Sequence, residues 1–265
     1  MPDPASRPYA RYVALGDSST EGLEDPDGRG GYRGWANRLA ERVAAAQGSL
    51  LYANLAVRGR TARRILDEQL APALALRPDL ATLFAGTNDA VRSGFDAAAV
   101  RRDVETMLRA LVDQGATVLT FTLADPAPLL PRPMARRIAP RVAALNEALR
   151  EAAAASGARL VDFALWPVAS DARLWNEDRL HANADGHARI AAALAERLAL
   201  PGTDGSWREP LPPLPPPGPA ARLRADLAWV RRHFGPWVGR HLRGRSSGDG
   251  RVAKRPRLAP VTLES

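Results

Sequence analysis

Four short stretches of this 265-residue chain carry the side chains that acyl transfer requires. Val13 to Thr20 reads VALGDSST, an apolar strand running into a small acidic turn that presents Ser18. NLAVRG ends at Gly59, AGTND contains Asn88, and DRLH joins Asp178 to His181. A serine hydroxyl attacks a carbonyl efficiently once a base takes its proton and donors receive the developing negative charge. Ser18 is the candidate nucleophile and His181 the candidate base. Asp178, three residues before His181, can reach one imidazole nitrogen from the same loop, fixing the tautomer and stabilising the imidazolium. The candidate oxyanion donors are the backbone N–H groups of Ser18 and Gly59 and the side-chain amide of Asn88. A bare glycine backbone permits close approach, and an amide donates without a competing charge.

Each piece also has an ordinary use. Ser18 or Ser19 can cap a helix, Gly59 and Asn88-Asp89 can form turns, and DRLH can be a surface loop before a helix capped by Asn183 or Asp185. Taken singly, each stretch reads that way; the four together read as a site. Of the four histidines, two (His233 and His241) lie in the tail. His187 is the competitor for the base, but its place within a helix suits a structural role. Asp17 and Asp89 are expected to organise turns. Asp178, His181, Asp185 and His187 lack a recognised metal-ligand spacing, so no metal and no cofactor is expected. Arg58, Arg60 and Arg92 lie near the predicted site loops and would either favour an anionic substrate or sit on the surface.

The elements that must position these groups follow from periodicity. Strands are predicted at Tyr12–Leu15, Leu50–Leu55, Leu80–Ala85, Thr117–Thr122 and Arg159–Phe163, with helices at Trp35–Ala46, Thr61–Leu76, Ala97–Gln114, Met134–Ser156 and Asp185–Ala199. Val100, Val104, Met107, Leu108 and Leu111 show the three-and-four spacing of an amphipathic helix. Helices between consecutive strands imply right-handed crossovers, hence a three-layer α/β/α domain around a parallel sheet of about five strands. Such sheets bind ligands at the carboxyl ends of their strands. Ser18, Gly59 and Asn88 follow the first three strands and should share one sheet edge.

Over about residues 10–200 the chain resembles the SGNH hydrolases, or GDSL-type esterases and lipases. Gly16, Asp17 and Ser18 match the family's GDS block, with Ser19 where GDSL has leucine. Gly59 matches its glycine, Gly86, Asn88 and Asp89 its GxND block, and Asp178 and His181 its DxxH block. The resemblance implies a flavodoxin-like α/β/α domain and a serine esterase that hydrolyses short acyl or acetyl esters through an acyl-enzyme, with a small-molecule or lipid ester as partner. An acyltransferase acting on an alcohol acceptor is the alternative. The α/β-hydrolase elbow G-x-S-x-G is absent, because Thr20 stands where its second glycine would be.

Composition bounds the rest. An apolar share of 46% is ordinary for a globular chain, and the absence of cysteine excludes disulfides and thiol catalysis. Neither a secretory signal nor a membrane-spanning run is recognisable, so a soluble cytoplasmic protein is the expectation. The net charge of +8 resides in residues 221–265, with eleven basic and three acidic side chains, and gives the body no nucleic-acid-binding character. The expected organisation is a catalytic domain at 1–200, a proline-rich linker at 201–220 and a basic amphipathic helical extension and tail at 221–265. Leu223, Leu227, Val230, Phe234, Trp237, Val238 and Leu242 form the extension's helical pattern, interrupted at Gly235-Pro236. That helix is expected to pack its apolar face on the domain and leave its arginines in solvent, with the following stretch a loop or a disordered basic tail. Its alternative is a binding module engaging an anionic membrane, nucleic acid or an acidic protein through 221–265.

Overall fold

Tyr12, Val13, Ala14 and Leu15 are all fully buried, which places β1 (Arg11–Gly16) inside a sheet covered on both faces. The computed structural model describes residues 8–243 and 246–263, without the side chains of 240–242. The side chains of His241 and of Leu242 in the expected helical pattern, and the outermost ends of the expected domain and tail, therefore lie outside what is described. Parallel to β1 run β2 (Leu51–Asn54), β3 (Leu80–Phe84), β4 (Thr117–Phe121) and β5 (Arg159–Val161). A sixth strand, β6 (Arg255–Pro260), pairs antiparallel with β2 and completes the order β5-β4-β3-β1-β2-β6.

The helices are α1 (Ser18–Glu21), α2 (Gly34–Gln47), α3 (Ala62–Ala75), α4 (Thr87–Val91), α5 (Ala97–Asp113), α6 (Arg132–Ser156) and α7 (Ala184–Arg197). Alternation along β1 divides the core. Tyr12 and Ala14 meet Trp35, Leu39 and Val43 of α2 and Leu194 of α7 on one face. Val13 and Leu15 meet Ile65 of α3, Met107 and Leu108 of α5 and Leu145 of α6 on the other. This is the three-layer α/β/α sandwich expected from the sequence, with a mixed rather than wholly parallel sheet.

Three features depart from the sequence reading. First, residues 255–260 are a strand, not a loop. Their sequence, RPRLAP, is poor in strand formers, but an edge position tolerates proline and needs pairing on one side alone. Arg255 donates to the Tyr52 carbonyl at 2.9 Å, and the strand covers the open edge of β2. Second, the start of the proline-rich segment is part of the core. Trp207 is buried and packs edge-on against Phe163, 5.3 Å between ring centres.

Third, the C-terminal helix does not lay its apolar face on the domain. α8 (Pro219–Trp229) passes through a π-turn at Val230–Phe234 into α9 (Gly235–Leu242). Pro236 falls in the first turn of α9, where a missing N–H is harmless, so the segment shifts register instead of breaking. Trp229 is buried, whereas Leu223, Leu227 and Val230 are exposed. Trp229 wins the protein-facing side because its indole has a specific acceptor there.

Candidate active site

Ser18 sits where the chain reverses its direction of growth through the sheet. β1 lies between β2 and β3, so the connections beyond it diverge and leave a crevice at its carboxyl end. Gly16 makes the exit possible, since a Cβ there would stand 2.2 Å from Thr20 Oγ1 and 2.7 Å from the Phe84 carbonyl oxygen. Buried Gln69 of α3 clasps the same residue. Gly16 N donates to Gln69 Oε1 and Gln69 Nε2 donates to Gly16 O, both at 2.9 Å. Asp17, fully buried, caps α1 by accepting from Ser19 N at 3.0 Å. Ser18 is thereby the first residue of a helical turn, where a backbone N–H has no intrahelical acceptor.

His181 comes from the loop before α7. Its Nε2 lies 2.8 Å from Ser18 Oγ and its Nδ1 lies 2.5 Å from Asp178 Oδ2. The other carboxylate oxygen accepts from the backbone N–H groups of Leu180 and His181, each at 3.0 Å. Burial opposes charge on the imidazole, but the adjoining Asp178 carboxylate outweighs it and holds His181 above its usual value. Burial likewise works against ionised Asp178, and the His181 contact and backbone donors still keep its pKa below the usual range. This linear arrangement, hydroxyl to imidazole to carboxylate, suits proton removal from Ser18.

Asn88 of α4 reaches the same edge. Its Nδ2 donates to Asp17 Oδ2 at 3.0 Å and to the Arg60 carbonyl at 3.1 Å. Asp17 is pushed up to about 6, chiefly by burial and against its bonds from Ser19 and Asn88. Asp89 accepts from Ala62 N at 3.0 Å and ties the α4 turn to the start of α3. Gly59 adopts a φ of 76° in the loop after β2. Its neighbour Arg58 is ion-paired with Glu21 of α1 and donates its backbone N–H to the same carboxylate at 2.8 Å. The nucleophile turn and the Gly59 loop are therefore locked together.

The other nearby candidates are engaged elsewhere. Arg60 pairs with Glu68 at 2.6 Å and Arg92 donates to the Gly59 carbonyl at 3.2 Å. With Arg58 they brace the loops, which leaves the anionic-substrate reading of the three without support. His187 is buried, with Nδ1 accepting from Trp35 N at 3.1 Å and Nε2 2.9 Å from the Leu23 carbonyl. Burial pushes it down to about 4. Among the described residues no cluster of three or more His, Asp or Glu side chains converges as a metal site.

Beside Ser18 and His181 opens a cavity of about 100 Å³ whose walls are mostly apolar, among them Phe121, Leu123, Trp175, Ile190 and Trp237. Phe84 and Phe121 stack at its base, 4.2 Å apart. The loop carrying Asp178 and His181 is held from outside by α8. Trp229 Nε1 donates to the Asp178 carbonyl at 2.8 Å, and Arg179 pairs with Asp226 at 2.6 Å.

Gln69 and Glu21 escaped the sequence reading, and Trp229 and Trp237 were read there as parts of the C-terminal extension and not of the site. Gln69 had a signal, for it lies four residues after Ile65 and four before Ala73, within the buried stripe of α3. A polar side chain in that stripe must find a partner. The two tryptophans had none, because their distance from the site in sequence is bridged by the fold alone.

The profile of the GDSL-like lipase/acylhydrolase family matches residues 14–189. No curated protein sequence matches the chain. Among solved structures, TesA superposes with a TM-score of 0.59 at 22% identity, over 71% of this chain and 97% of its own. The lipase/acylhydrolase from Enterococcus faecalis superposes at 0.58 with 23% identity, over 74% and 99%. A catalytic mutant of an acetylxylan esterase from Geobacillus stearothermophilus gives 0.59 and 16%, over 76% and 97%. At such identities the likeness is one of fold, and each leaves roughly a quarter of this chain unmatched. With its fold and most of the catalytic-domain sequence matched, the chain belongs to the GDSL-like lipase/acylhydrolase family, a family of serine ester hydrolases.

Proposed function

We propose that the chain hydrolyses short acyl or acetyl carboxylic esters through a Ser18–His181–Asp178 triad. The observation that carries this reading is the continuous contact from Ser18 Oγ to His181 Nε2 at 2.8 Å and from His181 Nδ1 to Asp178 at 2.5 Å. Ser18 Oγ attacks the ester carbonyl carbon while its proton passes to His181 Nε2. The carbonyl oxygen gains negative charge and is received by the N–H groups of Ser18 and Gly59 and by Asn88 Nδ2. Asn88 does so by sharing a hydrogen that it otherwise donates to Asp17 or Arg60. Collapse of the tetrahedral adduct breaks the C–O bond of the ester, and His181 delivers its proton to the departing alcohol. A water then gives a proton to His181 and attacks the acyl-Ser18 carbonyl; the new adduct collapses by breaking the bond to Ser18 Oγ, which takes the proton back from His181 as the acid leaves.

A short acyl group suits a small cavity that has the bulky Trp175 and Trp237 in its walls. The test is labelling by a fluorophosphonate probe together with hydrolysis of p-nitrophenyl acetate, butyrate and octanoate. Ser18→Ala loses both labelling and turnover, and acetate or butyrate is the preferred substrate. Undiminished labelling of Ser18→Ala, or a preference for octanoate, overturns the reading in its catalytic or its substrate part respectively.

A further inference from the structure

The outward face of α8 is of the wrong polarity for solvent. Leu223 and Leu227 are 60% and 61% exposed, and Val230 follows at 39%. At about 100° per residue the three fall within roughly 60° of one another around the helix, a continuous apolar stripe. Arg222, Arg224 and Arg231 flank it and Arg232 lies farther round; all four are exposed, and none forms an ion pair among the described residues. The one acid of the segment from 219 to 243, Asp226, is already paired with Arg179.

The stripe is also rigidly placed relative to the site. Trp229, on the protein-facing side of α8, is buried and bonded to the Asp178 carbonyl. Past the π-turn, Trp237 forms part of the wall of the cavity beside Ser18. Leu180, between Asp178 and His181, lines the same cavity and is itself 38% exposed. One helical segment thus carries the outward stripe and, on its protein-facing side, a residue of the cavity wall. Residues beyond 189 lie outside the family profile, so this segment is an addition to the shared domain.

We infer that the exposed Leu223–Leu227–Val230 stripe of α8, with its flanking arginines, docks this protein peripherally on an anionic phospholipid surface. Leucines enter the acyl boundary while arginines meet lipid phosphates, the two attractions that a basic amphipathic helix combines. A second copy of the chain is a poor occupant, because the same arginines would face one another. No described helix is long and apolar enough to cross a membrane, so the contact lies in the plane of the surface. This inference adds a surface to the esterase reading and does not depend on turnover.

The full-length Ser18→Ala protein, mixed with sucrose-loaded vesicles and pelleted, tests it without hydrolysis. Expected are binding to phosphatidylglycerol vesicles, binding at least tenfold weaker to phosphatidylcholine vesicles, and loss of the difference in high salt. Leu223→Ser with Leu227→Ser weakens binding at least tenfold, while the same pair in the otherwise wild-type chain leaves p-nitrophenyl acetate hydrolysis and Tm unchanged. No pelleting with phosphatidylglycerol overturns the inference. So does binding that survives the serine pair, or binding to duplex DNA as tight as to vesicles, either of which marks a general attraction to polyanions. A chain that is dimeric until those leucines are replaced, and that never pellets, overturns it in favour of self-association. Failure of binding leaves the esterase reading standing, and an inactive enzyme leaves the binding result standing.

Discussion

Replacing Asp178 with asparagine keeps the size of the side chain and removes its charge. Asp178 Oδ2 stands 2.5 Å from His181 Nδ1, and its other oxygen accepts two backbone N–H groups at 3.0 Å, so the loop keeps a suitable acceptor in the variant. A hydrogen bond to a charged group contributes about 1.5–3 kcal/mol, and about 1.4 kcal/mol corresponds to one pKa unit. Without the carboxylate, which is what holds it up, His181 should therefore titrate lower than in the wild type. The unprotonated imidazole is the base, so the wild-type rate climbs as pH rises through the raised His181 value. The variant climbs earlier, to a lower plateau. Loss of the imidazolium's counter-charge and of its enforced tautomer costs on the order of 10³–10⁴-fold in kcat/KM, or about 4–5.5 kcal/mol. Stability follows the same linkage. The raised His181 value adds stability below the unfolded histidine value, and that gain is lost as pH rises through the folded one. The assay is kcat/KM for p-nitrophenyl acetate from about pH 5 to 9. A variant that keeps more than about a tenth of the plateau, or that turns on at the wild-type pH, refutes the pairing.

Trp229→Phe keeps the ring and loses the N–H to Asp178, which should lower kcat roughly two- to tenfold with KM little changed and a shifted pH midpoint. A purely structural role would lower Tm and leave the midpoint in place. Trp237→Ala widens the cavity wall, so the ratio of kcat/KM for octanoate over acetate should rise by about tenfold or more; an unchanged ratio would remove Trp237 from the acyl site. Glu21→Gln leaves Arg58 without its counter-charge where both side chains are 11% exposed. It should cost about 2–3 kcal/mol, a fall in Tm of roughly 5–10 °C by thermal denaturation, with kcat reduced through the Gly59 loop. A Tm within about a degree of wild type would mean that the pair does not lock the two loops.

The domain and the candidate site groups were legible because local signals agreed with the final packing. The strand holding Val13 and Leu15 is apolar on both faces, and the three-and-four spacing of α5 survives intact in its buried residues. Spacing placed Ser18, Gly59 and Asn88 at the ends of three neighbouring strands, where the sheet order sets them together. What was hidden depends on pairing across long separations. RPRLAP has no intrinsic reason to be a strand until the edge of β2 is offered to it. In α8 the pattern indicated a helix, but which of its sides meets the domain was decided by one indole N–H finding the Asp178 carbonyl. For the arginines at 58, 60 and 92 the sequence left a substrate and a surface reading equally open, and it took Glu21, Glu68 and the Gly59 carbonyl, brought in by the fold, to occupy them.

The central claim is that Ser18 carries the acyl group between two half-reactions. Rapid mixing of the enzyme with p-nitrophenyl acetate, acid quenching within the burst, and mass spectrometry of the digested chain tests it directly. One acetyl group on the peptide containing Ser18, appearing with the p-nitrophenol burst and decaying at the steady-state rate, is the predicted result. Turnover with no acetyl on that peptide, or with the acetyl on another residue, contradicts it.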